Sequence, residues 1–278
     1  MPLVSVIIPF LNGGLWLSEA VNSVLAQSYY NWEIILIDDG SDEKDTHIAK
    51  ALVELCPEKM IYMQHEGHRN RGLTASRNAG IKLSAGSLIA LLDADDYWLP
   101  EKLHSQVSLF NIHRGAAMIC ESSFFWYSWR DSSADNVFVP VGAKNGALFA
   151  PPVLQEKLYP LGEGAAPCPS GIMIRRKAFE SAGGFEESFC GELQLYEDQA
   201  FLTKIYLNEP VYISEFCNNL YRKRPDSMSS AANNPAVYKR VRLFYLDWLE
   251  KYISSQRIRL SSVQPLIDKA RRELEAPV

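Results

Sequence analysis

Three carboxylates stand within four residues in the run Asp93-Ala94-Asp95-Asp96. In an extended chain, the side chains of Asp93 and Asp95 point the same way. Like charges so close together repel each other unless a cation or hydrogen-bond donors offset them. A hard divalent ion suits this pair, because Mg²⁺ or Mn²⁺ takes one or two carboxylates and adds water and phosphate oxygens. The run predicts a cation site, with Asp96 turned away to cap the next helix. The alternative is a solvated loop.

A second acidic pair, Asp38-Asp39, follows another apolar run. A carboxylate at the end of a strand can accept hydrogen bonds from a ribose or a base, as in dinucleotide-binding folds. The alternative is a simple Asx turn at Gly40.

Both acidic clusters lie at the carboxyl ends of predicted strands. Short apolar runs at residues 4–9, 33–37, 60–63 and 88–92 alternate with segments of helical periodicity. This alternation predicts an α/β fold with a doubly wound, mainly parallel sheet. Such sheets bind ligands at the carboxyl ends of their strands. The coincidence of acid and strand end therefore favours a binding site over a surface loop.

The later part of the chain is less regular. We expect strands at 116–120 and 171–175, loops through 140–170, and helices at 197–207, from 235 onward and over 261–275. The aromatic run 124–129 either stacks on a sugar ring or belongs to the core or an edge hairpin, and we favour the core or the hairpin over sugar stacking. The C-terminal helices are expected to cover the core or form a homodimer, with peripheral membrane contact as the alternative.

Composition excludes several classes of protein. The chain has 278 residues and a net charge of −5 without a basic block, which argues against nucleic-acid binding. No apolar run approaches the roughly 20 residues of a membrane-spanning helix, so no transmembrane segment is expected. The N-terminus is interpreted as a strand and not as a signal peptide. Five cysteines without a Cys-x-x-Cys pair indicate reduced thiols and a cytoplasmic location, with the inner membrane face as the alternative.

Four motifs in order give the chain a resemblance to a known family. They are residues 4–12 (VSVIIPFLN), 37–41 (IDDGS), 75–80 (ASRNAG) and 92–96 (LDADD). Together they resemble the family 2 inverting glycosyltransferases with the GT-A fold. The segments 183–185 (GGF) and 196–199 (YEDQ) are similar to the acceptor-side motifs of that family. The resemblance spans roughly residues 4–224 and implies a nucleotide-sugar-dependent transferase.

The resemblance also implies a role for individual residues. Pro9 and Asp39 would lie against the nucleotide base, and Arg77 and Asn78 would line the nucleotide pocket. Asp93 would contact the ribose or the metal shell.

Two further carboxylates would carry the chemistry of the family. Asp95 would bind Mn²⁺ or Mg²⁺, and Asp198 would be the catalytic base. The acceptor hydroxyl would then displace the nucleotide diphosphate in one inverting step. The alternative for Asp198 is a charged helix start that the helix dipole favours.

The resemblance leads to a division of the chain into three parts. Residues 1–100 would bind the donor, 101–230 the acceptor, and 231–278 would form a helical tail. UDP is the expected nucleotide by family prevalence, and the pathway would be glycan or polysaccharide biosynthesis. The acceptor would be a glycan, a lipid-linked molecule or a small molecule.

Two other functions stay open. A sugar nucleotidyltransferase would use a similar sheet, but it usually carries a basic, Gly-rich loop after the first strand, and residues 10–16 contain no Lys or Arg. A nicotinamide dehydrogenase is excluded in the same way, since no Gly-x-Gly-x-x-Gly follows that strand. A non-catalytic sugar- or nucleotide-binding protein would keep the fold without the reaction.

The remaining basic residues give weaker signals. His65 and His68 have a spacing that suits a metal, but they stand in a polar loop and we do not expect them to bind one. Arg69 or Arg71 is the better candidate for a diphosphate contact. Arg222 and Arg224 in 221–224 either face a phosphate or form a surface cluster.

Overall fold

The centre of the computed structural model, which describes residues 1–225, 227, 234–256 and 262–275, is an eight-stranded sheet. In sheet order its strands are β3 (Met60–Gln64), β2 (Trp32–Asp38), β1 (Val4–Phe10), β4 (Leu88–Leu91), β10 (Ile172–Arg175), β6 (Met118–Cys120), β11 (Val211–Ile213) and β9 (Ala147–Phe149). Strands β3, β2, β1 and β4 are parallel, whereas β10 runs antiparallel to both β4 and β6. Strand β9 runs antiparallel to β11 at the far edge.

Helices cover both faces of this sheet. The α-helices of the described residues are α1 (Gly14–Leu25), α2 (Glu43–Val53), α3 (Leu73–Leu83), α4 (Lys102–Ile112), α5 (Val153–Lys157), α6 (Arg176–Ser181), α7 (Glu197–Asn208), α8 (Pro235–Ser255) and α9 (Gln264–Glu275). Alternate residues of β1 face opposite sides, so that Val6 and Ile8 join one core and Ile7 the other. Helix α1 packs in the first core through Leu17, and α7 packs in the second through Phe201. The predicted doubly wound α/β fold is confirmed.

A smaller sheet of four strands lies beside the main one in the described part of the chain. In sheet order it contains β5 (Tyr97–Trp98), β12 (Asn219–Arg222), β7 (Ser123–Trp126) and β8 (Val137–Val139). Strands β7 and β8 form the antiparallel pair that was favoured for the aromatic run. Strand β5 directly follows the acidic run, and this connection ties the small sheet to the end of β4.

The C-terminal helices bury a third core. Val241, Tyr245 and Leu249 of α8 are fully buried, and they belong to one cluster with Tyr196 and Ile267. The C-terminal helices therefore cover the side of the fold that carries α7. The expected boundary between residues 230 and 231 lies outside the described residues. No helix that the structure describes is long and apolar enough to cross a membrane.

One local expectation was wrong, because the region 140–170, which was expected to form loops, contains β9 and the short α5. Helix α2 is capped by Asp42, which accepts a hydrogen bond from the Asp45 N–H at 2.8 Å. The neighbouring Ser41 hydroxyl accepts from the Asn12 N–H at 2.9 Å.

Candidate active site

A cavity of about 780 Å³ opens at the carboxyl ends of β1 and β4. It is lined by five of the predicted site residues, namely Pro9, Arg77, Asp93, Asp95 and Asp198. The position agrees with the rule that parallel sheets bind ligands beyond the carboxyl ends of their strands. Residues that are more than a hundred positions apart in the sequence therefore meet on one surface.

Arg77 joins the acidic run to the start of α7. Its side chain is 1% exposed and donates from Nη2 to Asp93 Oδ1 at 2.6 Å and from Nη1 to Glu197 Oε1. Burial lowers the pKa of Arg77, but the charges of Glu197 and Asp93 outweigh it and hold that pKa above its ordinary value. Burial raises the pKa of Glu197 to about 7 against the charge of Arg77. The buried guanidinium thus connects the two carboxylate-bearing segments of the cavity.

Asp95 lies between two arginines that follow each other closely in the sequence. Its Oδ2 accepts from Arg224 Nη2 at 2.9 Å, and its main-chain oxygen accepts from Arg222 Nε at 2.7 Å. Burial and the charge of Asp93 raise the pKa of Asp95, whereas Arg224 opposes the shift. A raised pKa means that the negative charge on Asp95 is incompletely compensated. A cation near Asp95 would offset this negative charge and its repulsion from Asp93.

Asp96 does not cap the following helix, contrary to the expectation. Helix α4 begins at Lys102 with Glu101 at its N-cap, and no side chain caps it. Asp96 is buried and accepts from Ser170 Oγ at 2.5 Å and from the Arg222 N–H at 2.9 Å. Burial, reinforced by the charges of Asp95 and Asp93, raises the pKa of Asp96 well above its ordinary value. Its role is structural, because it fixes β12 and Ser170 against the acidic run.

Asp198 stands in the first turn of α7 and lines the cavity. Its Oδ1 accepts from the Gln199 N–H at 2.7 Å, and its Oδ2 accepts from Gln199 Nε2 at 3.3 Å. Burial raises the pKa of Asp198 to about 6, although the charge of Arg77 acts in the opposite direction. Such a carboxylate is mostly ionised at pH 7 and still basic enough to take a proton from a reacting hydroxyl.

Asp39 and Asn78 do not line this cavity. Asp39 accepts from the N–H groups of Arg71 at 2.7 Å and Gly72 at 3.1 Å, and so fixes the turn before α3. Asn78 accepts from the Phe185 N–H at 2.9 Å and donates to the Phe185 carbonyl at 3.0 Å. Both side chains hold loops next to the cavity.

Asn78 instead lines a second cavity, of about 690 Å³. Arg69, Arg71 and Lys82 also line that cavity. The two arginines considered for a diphosphate contact therefore line a different cavity from the acidic run.

Several residues of the site gave no clear signal in the sequence. Arg222 is buried, and its guanidinium carbon lies 4.3 Å from the ring centre of Trp16, 4.2 Å from that of Trp126 and 5.2 Å from that of Trp129. It is neither a surface residue nor a phosphate-facing one. These tryptophans lie far from Arg222 in the sequence, so the sequence does not reveal this cation–π packing.

A buried ion pair also lies at the cavity wall. Glu121, which lines the cavity, stands 3.5 Å from Lys102 Nζ, and neither side chain is exposed. Their positions at the end of β6 and in the first turn of α4 give no hint of this pairing in the sequence. The pair balances its own charge in the wall.

The acidic run can hold a divalent metal only if a bound ligand supplies further coordinating oxygens. In the described residues no group of three or more His, Cys, Asp and Glu side chains is arranged to hold a metal ion. The protein offers Asp93 and Asp95, which line the cavity with partly exposed carboxylates. Mg²⁺ and Mn²⁺ accept this donor set, because phosphate oxygens and water complete their shells.

Sequence comparison with known proteins finds glycosyltransferases. The sequence profile of Glycosyl transferase family 2 matches residues 5–183, which is well over half of the chain. The chain is 30% identical over 221 residues to an uncharacterized glycosyltransferase of Rickettsia conorii, covering 77% of this chain and 33% of that protein. It is 30% identical over 184 residues to the putative glycosyltransferase EpsE of Bacillus subtilis, covering 66% of this chain and 60% of EpsE. The chain thus spans about a third of the length of several curated relatives.

Solved structures share the fold at low identity. TarS 1-349 of S. aureus in complex with UDP-GlcNAc superposes with a TM-score of 0.64 at 19% identity, over 99% of this chain and 80% of TarS 1-349. The mannosyltransferase PcManGT from Pyrobaculum calidifontis, in complex with GDP-Man and Mn²⁺, gives a TM-score of 0.63 at 15% identity, over 98% of this chain and 70% of that one. The GT-A-type fold expected from the sequence is confirmed.

Proposed function

This chain belongs to glycosyl transferase family 2, and we propose that it transfers a sugar from a nucleotide diphosphate to a hydroxyl group with inversion at the anomeric carbon. UDP is the proposed nucleotide. It agrees with family prevalence and with the UDP-GlcNAc that TarS binds. PcManGT binds GDP-Man, so the donor panel below includes GDP-sugars.

One observation carries the proposal. Asp93 and Asp95 at the end of β4 and Asp198 at the start of α7 line one cavity. Arg77 pairs with Asp93 and with Glu197, the neighbour of Asp198. The site thereby combines acidic ligands suited to a metal diphosphate with a separate carboxylate of raised pKa. A simple sugar-binding protein needs no such basic carboxylate.

Asp95, with Asp93 beside it, would hold Mn²⁺ or Mg²⁺. The family and the Mn²⁺ bound by PcManGT support a divalent ion. When bound, the ion would neutralise the charge that grows on the departing diphosphate.

Asp198 would act as the general base. The acceptor oxygen forms a bond to the anomeric carbon while the bond from that carbon to the diphosphate oxygen breaks. The hydroxyl proton passes to an Asp198 oxygen, and the bonding electron pair leaves with the diphosphate. Proton transfer by a positioned base contributes typically about 10²–10⁴-fold to a rate. Gln199 holds the carboxylate by two hydrogen bonds and so orients it.

The remaining assignments extend the proposal to the donor. Pro9 and Arg77 line the cavity where the nucleotide would bind. Asp39 and Asn78 would act on the nucleotide through the loops that they hold. Residues 1–100 would form the donor half, 101–230 the acceptor half and 231–278 the tail. A glycan, lipid-linked or small-molecule acceptor, a homodimer and a cytoplasmic or membrane-peripheral location stay predictions.

A donor panel tests the proposal. Thermal shift and donor hydrolysis are measured with UDP-, GDP-, dTDP- and CMP-sugars, each with Mn²⁺ and with EDTA. We expect one nucleotide class to stabilise the protein more with Mn²⁺ and to be hydrolysed slowly. If no nucleotide stabilises the protein in a metal-dependent way, the proposal fails. Stabilisation without hydrolysis or transfer to any acceptor would favour the non-catalytic binding protein.

A further inference from the structure

Both carboxylates available to a metal are already paired with arginines. Asp93 Oδ1 lies 2.6 Å from Arg77 Nη2, and Asp95 Oδ2 lies 2.9 Å from Arg224 Nη2. Opposite charges this close stabilise the ionised carboxylates. A divalent cation that approaches either group must therefore compete with a guanidinium already in place.

The two pairs differ in how readily they can open. Arg77 is 1% exposed and is also bound to buried Glu197, so its release would leave two carboxylates without a counter-charge. The side chains of Arg224 and Asp95 are 24% and 28% exposed, and both line the cavity. Breaking a buried pair is strongly unfavourable, whereas a partly hydrated pair exchanges at a much smaller cost. Asp95, and not Asp93, is therefore the carboxylate that can exchange its arginine for a metal ion.

Binding of a free metal ion and binding of a metal–diphosphate complex have different consequences for Arg224. A free divalent ion that takes Asp95 leaves the guanidinium beside a second positive charge. A metal–diphosphate complex supplies phosphate oxygens, to which arginine binds well with its planar fork of donors. Arg224 can then exchange one anionic partner for another within the same cavity.

We propose that Arg224 is a specificity-determining residue which holds Asp95 against free divalent ions and releases it to a metal–nucleotide complex. This inference rests on the glycosyl transfer proposed above. It makes metal and nucleotide binding mutually dependent, because a coupling between two ligands is reciprocal. The protein would therefore take up its metal together with the nucleotide and not beforehand.

Mn²⁺ binding to the full chain tests the proposal without an activity measurement. The free Mn²⁺ signal in electron paramagnetic resonance gives the Mn²⁺ affinity with and without UDP. For the wild type we expect weak binding alone and at least about tenfold tighter binding with saturating UDP. Arg224→Gln should bind Mn²⁺ alone about tenfold more tightly than the wild type and lose most of the gain from UDP. Arg224→Lys, which keeps the charge, should lie between the two.

Arg240→Gln is the matched control, because it removes an exposed arginine that is paired with Glu192 on another part of the surface. It should leave both Mn²⁺ affinities unchanged. The proposal is overturned if Arg224→Gln binds Mn²⁺ alone no more tightly than the wild type, or if Asp93→Asn and not Asp95→Asn removes Mn²⁺ binding. Failure of glycosyl transfer itself would show differently, as an absence of donor hydrolysis and transfer in the donor panel, neither of which enters the Mn²⁺ measurement.

Discussion

The two halves of the main sheet present their acidic residues to the cavity by different means. In residues 1–100 the strands β1 to β4 lie parallel, and Asp93 and Asp95 follow directly from the end of β4. In residues 101–230 the strands are mixed in direction, and Asp198 stands on a helix. The residue before that helix turn, Tyr196, packs against Tyr159 and Tyr245 in the third core.

The difference shows how much each half depends on distant packing. A carboxylate at the end of a parallel strand is positioned by its neighbouring strands, which are adjacent in the sheet and regular in sequence. Asp198 stands on α7, whose Ala200 and Leu207 pack with α8 in the third core, beyond the profile match of residues 5–183. Under the proposed division of the chain, changes in residues 1–100 should therefore act on ligand binding, and changes in residues 101–230 on the chemical step.

The largest expected effect separates the two halves at Asp198. Asp198→Asn removes the proposed base and should lower the transfer rate by about 10²–10⁴-fold while leaving UDP affinity within about twofold. Initial rates and calorimetric titration with UDP measure the two quantities. Gln194→Ala, a nearby cavity residue without a proposed proton role, is the control. Unchanged transfer would remove Asp198 from the role of base.

Arg77 connects the halves, so its loss should damage both. Arg77→Met leaves Asp93 and Glu197 without their buried counter-charge and should lower the free energy of unfolding by about 3–5 kcal/mol. Urea unfolding measures this change. Lys82→Met, at an exposed position of the same helix, should change the free energy little. A loss below about 1 kcal/mol would mean that the halves are coupled by other contacts.

Asp95 tests the donor side alone. Asp95→Asn should weaken UDP binding with Mn²⁺ by about tenfold, since a charge-assisted ligand is lost. Binding in EDTA should change much less. Calorimetric titration under both conditions provides the comparison. Equal weakening with and without Mn²⁺ would assign Asp95 to the nucleotide and not to the metal.

A second effect at Asp198 concerns the free energy of unfolding, because its buried carboxylate destabilises the fold. The pKa of Asp198 is raised to about 6 in the folded state, so the fold favours the protonated carboxyl group. The protein therefore loses stability as the pH rises through 6 and this group ionises. Asp198→Asn should therefore raise the free energy of unfolding by about 2 kcal/mol at pH 8 and hardly at all near pH 4. Urea unfolding at both values measures it. A variant that is less stable at pH 8 would contradict the raised pKa.

The same pKa also predicts the pH profile of the reaction. Asp198 accepts a proton only when ionised, so the value of kcat/KM should fall below pH 6 by about tenfold per unit. A rate independent of pH down to 5 would exclude a base with this pKa.

Local sequence patterns determined the structure of residues 1–100. Apolar runs that alternate with helical periods predicted β1 to β4 and their helices, because strands buried on both faces must be continuously apolar. The Asp-Ala-Asp run follows the last of these apolar runs, so it predicted carboxylates at the end of a strand. The family resemblance named Asp198, which its own surroundings in the sequence marked only as a helix start.

Tertiary structure decided which partner each charge has. The ion pairs of Arg77 with Glu197, Arg224 with Asp95 and Glu121 with Lys102 join segments between 19 and 129 positions apart. Sequence spacing carries information only over a few residues, through the periods of helix and strand. Burial and pairing depend on the packed fold, and they set the pKa values. The sequence by itself thus determined the strand ends and the acidic residues on them, while packing decided that Asp96 is structural, that Arg77 is a bridge and that Asp95 is paired with Arg224.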